Sequence, residues 1–219
     1  MLMIRHHPIA TIGVVDDSQQ ARQSRGLLLT DAGLEMLDVV GPLRSVKSTR
    51  KLLSPSCEAL ICDHHLNTNA NYAHFLGAEL VAYSVSKGLP AVLCTRYMVA
   101  EVLDIRRYLP MIPSLLSPQE LRSPDDLQIA LETCIGEMEG DILPERRVWR
   151  AQVVIEDVAD DGTFIAAFPG WDTGQCIRFR HVDVPESMRD SIRIGFRTYV
   201  EANLGEERPE RLFVTRWQV

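Results

Sequence analysis

The chain has 219 residues, 46% hydrophobic and 24% charged, with a formal net charge of −7. That profile fits an ordinary globular protein of one large or two small domains. No apolar run approaches the roughly 18 residues of a membrane span. Residues 1–8 carry Arg5, His6 and His7 with no signal-peptide core behind them, so a cytoplasmic location is expected. Residues 1–140 hold 12 basic and 16 acidic side chains, and the remainder 11 and 14. Neither part is basic enough to favour phosphate backbones, which makes nucleic acid an unfavoured partner.

From the start to about residue 138, short apolar runs alternate with stretches of helical spacing. The runs are 9–15, 34–40, 59–62, 90–95 and 111–116, each bounded by turn chemistry as buried parallel strands are. The stretches between and after them are 18–32, 43–53, 73–86, 98–108 and 124–138. The last has a strong start signal: Ser123 as cap, Pro124 at the first helical position and Asp125 and Asp126 in the first turn. Five successive strand–helix units predict an α/β fold with a doubly wound, five-stranded parallel sheet over residues 9–138. Residues 139–147 (EGDILPERR) read as a linker. Beyond it the period becomes two over 148–158, 163–168, 175–184, 196–202 and 211–219, with a short helix at 185–192. Residues 148–219 are therefore expected to form a small, mostly-β, barrel-like domain, OB-like or SH3-like. Of the five cysteines, Cys62, Cys94 and Cys134 sit in apolar runs and no pair forms C-x-x-C, so buried thiols are expected rather than disulfides or zinc.

Asp16 and Asp17 follow the first strand, Asp63 follows the third and Thr95 ends the fourth. In a doubly wound sheet those ends share one edge, at the switch point where ligands bind. Converging carboxylates repel unless a cation joins them, and a hard ion with oxygen ligands, Mg²⁺ above all, suits them. One carboxylate is then available as a nucleophile. Lone loop aspartates commonly serve as turns and caps, but four such groups at three strand ends make a more specific pattern.

Val14-Val15-Asp16-Asp17, Leu60-Ile61-Cys62-Asp63 and Leu93-Cys94-Thr95 resemble the receiver (CheY-like, flavodoxin-like) domains of two-component response regulators. The resemblance implies a protein-to-protein signalling role rather than an enzyme. It makes Asp63 the phosphoacceptor from a histidine kinase or other signalling protein, and Thr95 the group that contacts the phosphoryl. Asp16, Asp17 and Asp63, with the main-chain carbonyl of His65, are the implied Mg²⁺ ligands. Two positions depart from the pattern. Ser117 stands where a receiver has lysine before Pro118, and Ser114 where it has an aromatic switch residue. No lysine follows Lys87. The alternative is a pseudo-receiver that acts as a phosphorylation-independent adaptor, and a homodimer is a further partner class.

Asp63-His64-His65 also spells a phosphoesterase triplet, but the further aspartate motifs of those enzymes are missing. In the C-terminal part, Arg178 and Arg180 alternate with Ile177 and Phe179 and share one strand face. With Arg193, Arg197, Trp149, Trp171, Tyr199 and Trp217 they could stack single-stranded nucleic acid. Pairing with acids such as Asp183, Glu201 and Glu156 is the favoured expectation. Residues 168–171 (FPGW) are expected as an exposed contact loop.

Overall fold

The computed structural model describes residues 1–68, 71–171 and 174–218. The chain divides into two compact units, one of 1–98 with 111–141 and one of 99–110 with 142–219.

The first unit begins with a hairpin absent from the expected elements, β1 (Leu2–Ile4) paired with β2 (His7–Ile9). Arg5 turns it at φ 52° and ties it to Glu139 and Asp141 just beyond the last helix of the unit. Then come β3 (Thr11–Val15), α1 (Gln19–Asp31), β4 (Glu35–Asp38), α2 (Val46–Leu53), β5 (Ala59–Cys62), α3 (Gly77–Ser86) and β6 (Ala91–Cys94). After the excursion into the second unit follow β7 (Ser114–Leu116) and α5 (Pro124–Met138). The five main strands are all parallel in the order β4-β3-β5-β6-β7. That is the flavodoxin-like doubly wound order 2-1-3-4-5, as the alternation of runs predicts. Helices α1 and α5 pack together on one face and α2 with α3 on the other. Both faces are covered, so β5 and β6 are buried at every residue. Ile12, Val14, Leu29, Ile61, Val92 and Leu131 form the core beneath α1 and α5, each worth about 1.5–3 kcal/mol when buried.

The expected fourth helix, 98–108, is reduced to α4 (Val102–Arg106) and a 3₁₀ turn at Leu109–Met111. Residues 99–110 belong to the second unit rather than the first. Its anchors explain this. Arg106, 5% exposed, donates to the carbonyls of Pro209 and Leu212, and its guanidinium lies 5.3 Å from the centre of the Phe179 ring. Asp104 pairs with Arg180 at 2.5 Å, and the Leu109 carbonyl accepts from Arg146 at 3.0 Å.

The rest of the second unit holds β8 (Trp149–Val158), β9 (Thr163–Ala167), β10 (Cys176–Arg180), α6 (Glu186–Arg189), β11 (Arg197–Ala202) and β12 (Val214–Trp217). The strands are antiparallel in the order β10-β9-β8-β11-β12 and curl into a half-barrel. Alternating residues such as Val153, Ile155, Phe164, Ile177 and Phe179 fill it. The FPGW segment is exposed only at Pro169 and Gly170: Phe168 is in the core, and Trp171 is half-buried against that core and donates to the Glu206 carbonyl. Cys57, Cys62, Cys94 and Cys134 are buried free thiols, and Cys176 is an exposed one.

Candidate functional site

Asp16 and Asp17 leave β3 where the chain turns into α1. The Asp16 carboxylate accepts the Ser18 N–H at 2.8 Å, and the Ser18 hydroxyl caps the helix by accepting from Ala21 N–H. From the second turn of α1, the buried Arg22 reaches back to the Asp16 carbonyl at 2.7 Å and pairs with Asp38 at 2.6 Å. These bonds hold the β3–α1 turn in one shape.

Asp63 leaves β5, its N–H donating to the Val15 carbonyl at 2.9 Å, which places it beside Asp16 across the sheet edge. Its carboxylate accepts the His65 N–H at 3.2 Å. The Thr95 hydroxyl, fully buried at the end of β6, also donates to it. Thr95 Oγ1 in turn accepts the Tyr97 N–H at 3.3 Å. Tyr97 stacks on His65 with ring centres 4.8 Å apart. The aspartates and threonine singled out in the sequence thus converge on one edge from three strands.

The electrostatics are those of a site short of positive charge. Burial, the Asp63 carboxylate and the Asp17 carboxylate push Asp16 up to about 6, while the Ser18 N–H and Arg25 hold it down. Burial also raises Asp63, against the His64 and His65 amides and the Thr95 hydroxyl, which favour its charged form. The donor set suits a hard divalent cation: oxygen ligands whose mutual repulsion a cation would relieve. Asp16, Asp17 and Asp63 do not bring their oxygens within 4.8 Å of one another as a trio.

The two departures are visible in space. Ser114 is 4% exposed, and its hydroxyl donates to the Ala130 carbonyl on α5 at 2.5 Å. It fills a fixed internal position and offers no bulky group to swing. Ser117 brings no charge, and its N–H donates to Glu120 at 2.8 Å. His64 of the triplet is fully buried rather than a surface loop residue.

Three contributors escape the sequence reading. Arg25 of α1 donates to Cys94 Sγ at 2.8 Å and to the Leu121 carbonyl at 3.1 Å. Gly77 donates its N–H to the His64 carbonyl at 2.9 Å. Tyr97 is the third. The signal for Arg25 lay in its spacing: Arg22, Arg25 and Leu29 fall on one helix face, and Leu29 is core. A charge in such a stripe needs a reason.

In the second unit, Arg178 pairs with Asp161 at 2.7 Å, and Arg180 pairs with Asp104 and Asp183. Trp217 is core and Trp149 exposed, and Arg150 lies 3.6 Å from the Tyr199 ring centre. Asp183 is thus one of the expected acid partners.

No protein-family model matches the sequence, and no curated protein matches it. Among solved structures, the chain is similar to a response regulator receiver domain protein from Clostridium thermocellum. Identity is 17%, over 59% of this chain and 97% of that one, with a TM-score of 0.42. It is likewise similar to a response regulator receiver protein from Pseudoalteromonas atlantica, at 17% identity over 59% and 97% of the two chains, TM-score 0.38. A third is the signal receiver domain of an HD domain-containing protein from Pseudomonas fluorescens Pf-5. There the identity is 15%, over 62% and 93% of the chains, with a TM-score of 0.40. The fold rests on the strand order of the first unit itself: five parallel strands, flavodoxin-like, with the acidic edge at their carboxyl ends.

Proposed function

We propose that the first unit is a receiver-type signalling module that accepts a phosphoryl group on Asp63 and passes the signal to the second unit, its output or docking module. The observation that carries this reading is the Asp63 carboxylate held by the Thr95 hydroxyl beside Asp16 and Asp17. In the step, an Asp63 carboxylate oxygen attacks phosphorus of a phosphohistidine or acyl phosphate. The bond from phosphorus to the donor breaks, the donor leaves with its electron pair, and Asp63 becomes an acyl phosphate. Asp16, Asp17, Asp63 and the His65 carbonyl would hold Mg²⁺, which when bound screens the charge of the phosphoryl oxygens. The Thr95 hydroxyl, already aimed at Asp63, would turn its proton to a phosphoryl oxygen.

Residue 95 is only four positions ahead of the segment 99–110 that is built into the second unit. Movement of Thr95 would reach the second unit along the backbone, with no need for an aromatic switch. The partner in this reading is a histidine kinase or another phosphodonating signalling protein.

The test is incubation with Mg²⁺ and acetyl phosphate followed by intact mass. One added phosphoryl group, lost in Asp63→Asn, is the expected result. The adaptor alternative draws on the fixed, buried Ser114 and uncharged Ser117. Absence of any adduct from the wild-type protein, together with no Mg²⁺ binding, would overturn the phosphoacceptor reading and leave the adaptor alternative.

A further inference from the structure

We propose that Arg25 is the phosphoryl-binding cation of this site, delivered from α1 instead of from the loop after β7. The inference rests on the phosphoacceptor reading of Asp63 and adds to it the residue that makes the site anion-competent. A phosphoryl group brings negative charge to an edge that already holds three carboxylates. Without a fixed positive charge beside the metal, that product is poorly stabilised. In the loop after β7, Ser117 is neutral and the nearby Glu120 is acidic, and the one cation there, Arg122, is exposed and acts on Asp126 at the start of α5.

Arg25 occupies the place from which charge can be supplied. One of its terminal nitrogens reaches Cys94 Sγ, on the residue next to Thr95, and the other reaches the carbonyl of Leu121, in the loop after β7. The guanidinium therefore bridges the end of β6 and the β7–α5 loop, the two segments that flank the acidic edge on that side. Its field is felt at the Asp16 carboxylate and at the Cys94 thiol.

Its present partners are suited to exchange. A thiol sulfur is a weak acceptor and a carbonyl is neutral, whereas a phosphoryl oxygen is anionic and binds a guanidinium about twice as strongly. The two bonds use two of the five N–H donors of the side chain. Arg25 is half-buried rather than sealed in the core, so its fork can turn toward the edge. A side chain kept only for packing in this stripe would be apolar, as Leu28 and Leu29 are.

The experiment separates this claim from the reading beneath it. Calorimetric titrations with Mg²⁺ alone, and then with beryllofluoride in saturating Mg²⁺, are made on full-length wild type, Arg25→Gln, Arg25→Lys and the double variant R25Q/S117K. Beryllofluoride stands in for the phosphoryl group on Asp63. The expectation is that R25Q keeps its Mg²⁺ affinity but loses about tenfold or more in beryllofluoride affinity, the scale of a lost charged hydrogen bond. R25K stays closer to wild type, and R25Q/S117K recovers affinity because a lysine again reaches the site from the β7 side. A purely structural role for Arg25 would not be rescued by Ser117→Lys. If R25Q does not fold, R25K carries the test, since it retains the charge, and a folded R25K that binds Mg²⁺ as wild type does but no beryllofluoride overturns the role of Arg25 as a cation. Wild-type protein that binds beryllofluoride no more tightly than R25Q, or a double variant that stays as weak as R25Q, overturns the role of Arg25 alone. Wild-type protein that binds neither Mg²⁺ nor beryllofluoride overturns the phosphoacceptor reading and Arg25 with it.

Discussion

Gly77 opens α3 directly against the backbone of Asp63: a Cβ at position 77 would fall 1.6 Å from the Asp63 carbonyl oxygen. The next nearest obstacles are the Asp63 carbonyl carbon and Cys62 Sγ, so the conflict is with the end of β5 rather than with a side-chain tip. At the same place the Gly77 N–H holds the His64 carbonyl. Gly77→Ala must therefore displace either the helix start or the loop that presents Asp63. Overpacking typically costs about 1–3 kcal/mol, and a backbone obstacle leaves little room to relax. The expected outcome is a lower melting temperature and weaker Mg²⁺ binding, followed by scanning calorimetry and metal titration. An alanine variant with wild-type values in both would show that this close approach does not position Asp63.

The raised Asp16 predicts an unusual pH profile for the metal-free protein. Its carboxyl sits at about 6 in the folded chain against an ordinary 3.8, and Asp63 is displaced in the same direction. Between about pH 4 and 6 the folded state then binds more protons than the unfolded one. Stability contributed by these groups accordingly falls as pH rises through that window. Metal-free protein should melt higher at pH 5 than at pH 7, and Asp16→Asn should flatten the difference and stabilise the protein at pH 7. Mg²⁺ should reverse the trend, since it binds the charged forms and is displaced by protons. A melting temperature that climbs from pH 5 to pH 7 in chelator would contradict the electrostatic description of the edge.

Ser123 closes a reciprocal cap at the start of α5. Its hydroxyl accepts the Asp126 N–H at 3.2 Å, and the Asp126 carboxylate accepts the Ser123 N–H at 2.9 Å and the Arg122 N–H at 3.0 Å. Ser123→Ala should cost about 1 kcal/mol, read as a shift in the urea midpoint with the slope unchanged. Asp126 is held below the usual carboxylate range by those same amide bonds and by the serine. The loss should therefore shrink in acid, once Asp126 is protonated and its half of the cap is gone.

That cap shows what was legible. Ser123, Pro124 and the paired aspartates are a local code, complete within one turn of chain, and the structure repeats it residue for residue. The parallel strands were legible for a similar reason, since burial on both faces leaves an uninterrupted apolar run such as ALIC or AVLC. Asp16, Asp17, Asp63 and Thr95 followed from strand ends meeting at one edge. What stayed hidden depends on partners distant in sequence. Arg25 acquires meaning only through Cys94 and Leu121. The hairpin of β1 and β2 has only three residues per strand, and is fixed by Ile4 and Ile9 in the core and by Arg5 against Glu139 and Asp141. The stretch 98–108 has helical spacing throughout, but its apolar and arginine side chains answer to the half-barrel, which shortened the helix and moved it to the other unit.

Arg106 is the residue through which that capture can be tested. Burial pulls its guanidinium down to about 10, with Asp183 and Glu210 opposing the fall, so the charge is held at a cost and its bonds must answer for it. Arg106→Met keeps the bulk of the stem beside Phe179 but leaves the carbonyls of Pro209 and Leu212 without this donor. An unpaired buried acceptor such as the Leu212 carbonyl costs about 1–3 kcal/mol and the half-buried Pro209 carbonyl adds less, so a loss of about 2–3 kcal/mol is expected in the second unit. Native-state hydrogen exchange locates it. Amides of α4 and of β12 should exchange faster together in Arg106→Met, while those of β3, β5 and β6 keep their protection. Faster exchange spread evenly over β3, β5 and β6 as well would mean that α4 is cooperative with the parallel sheet. In that case the path from Thr95 to the half-barrel would lose its physical basis.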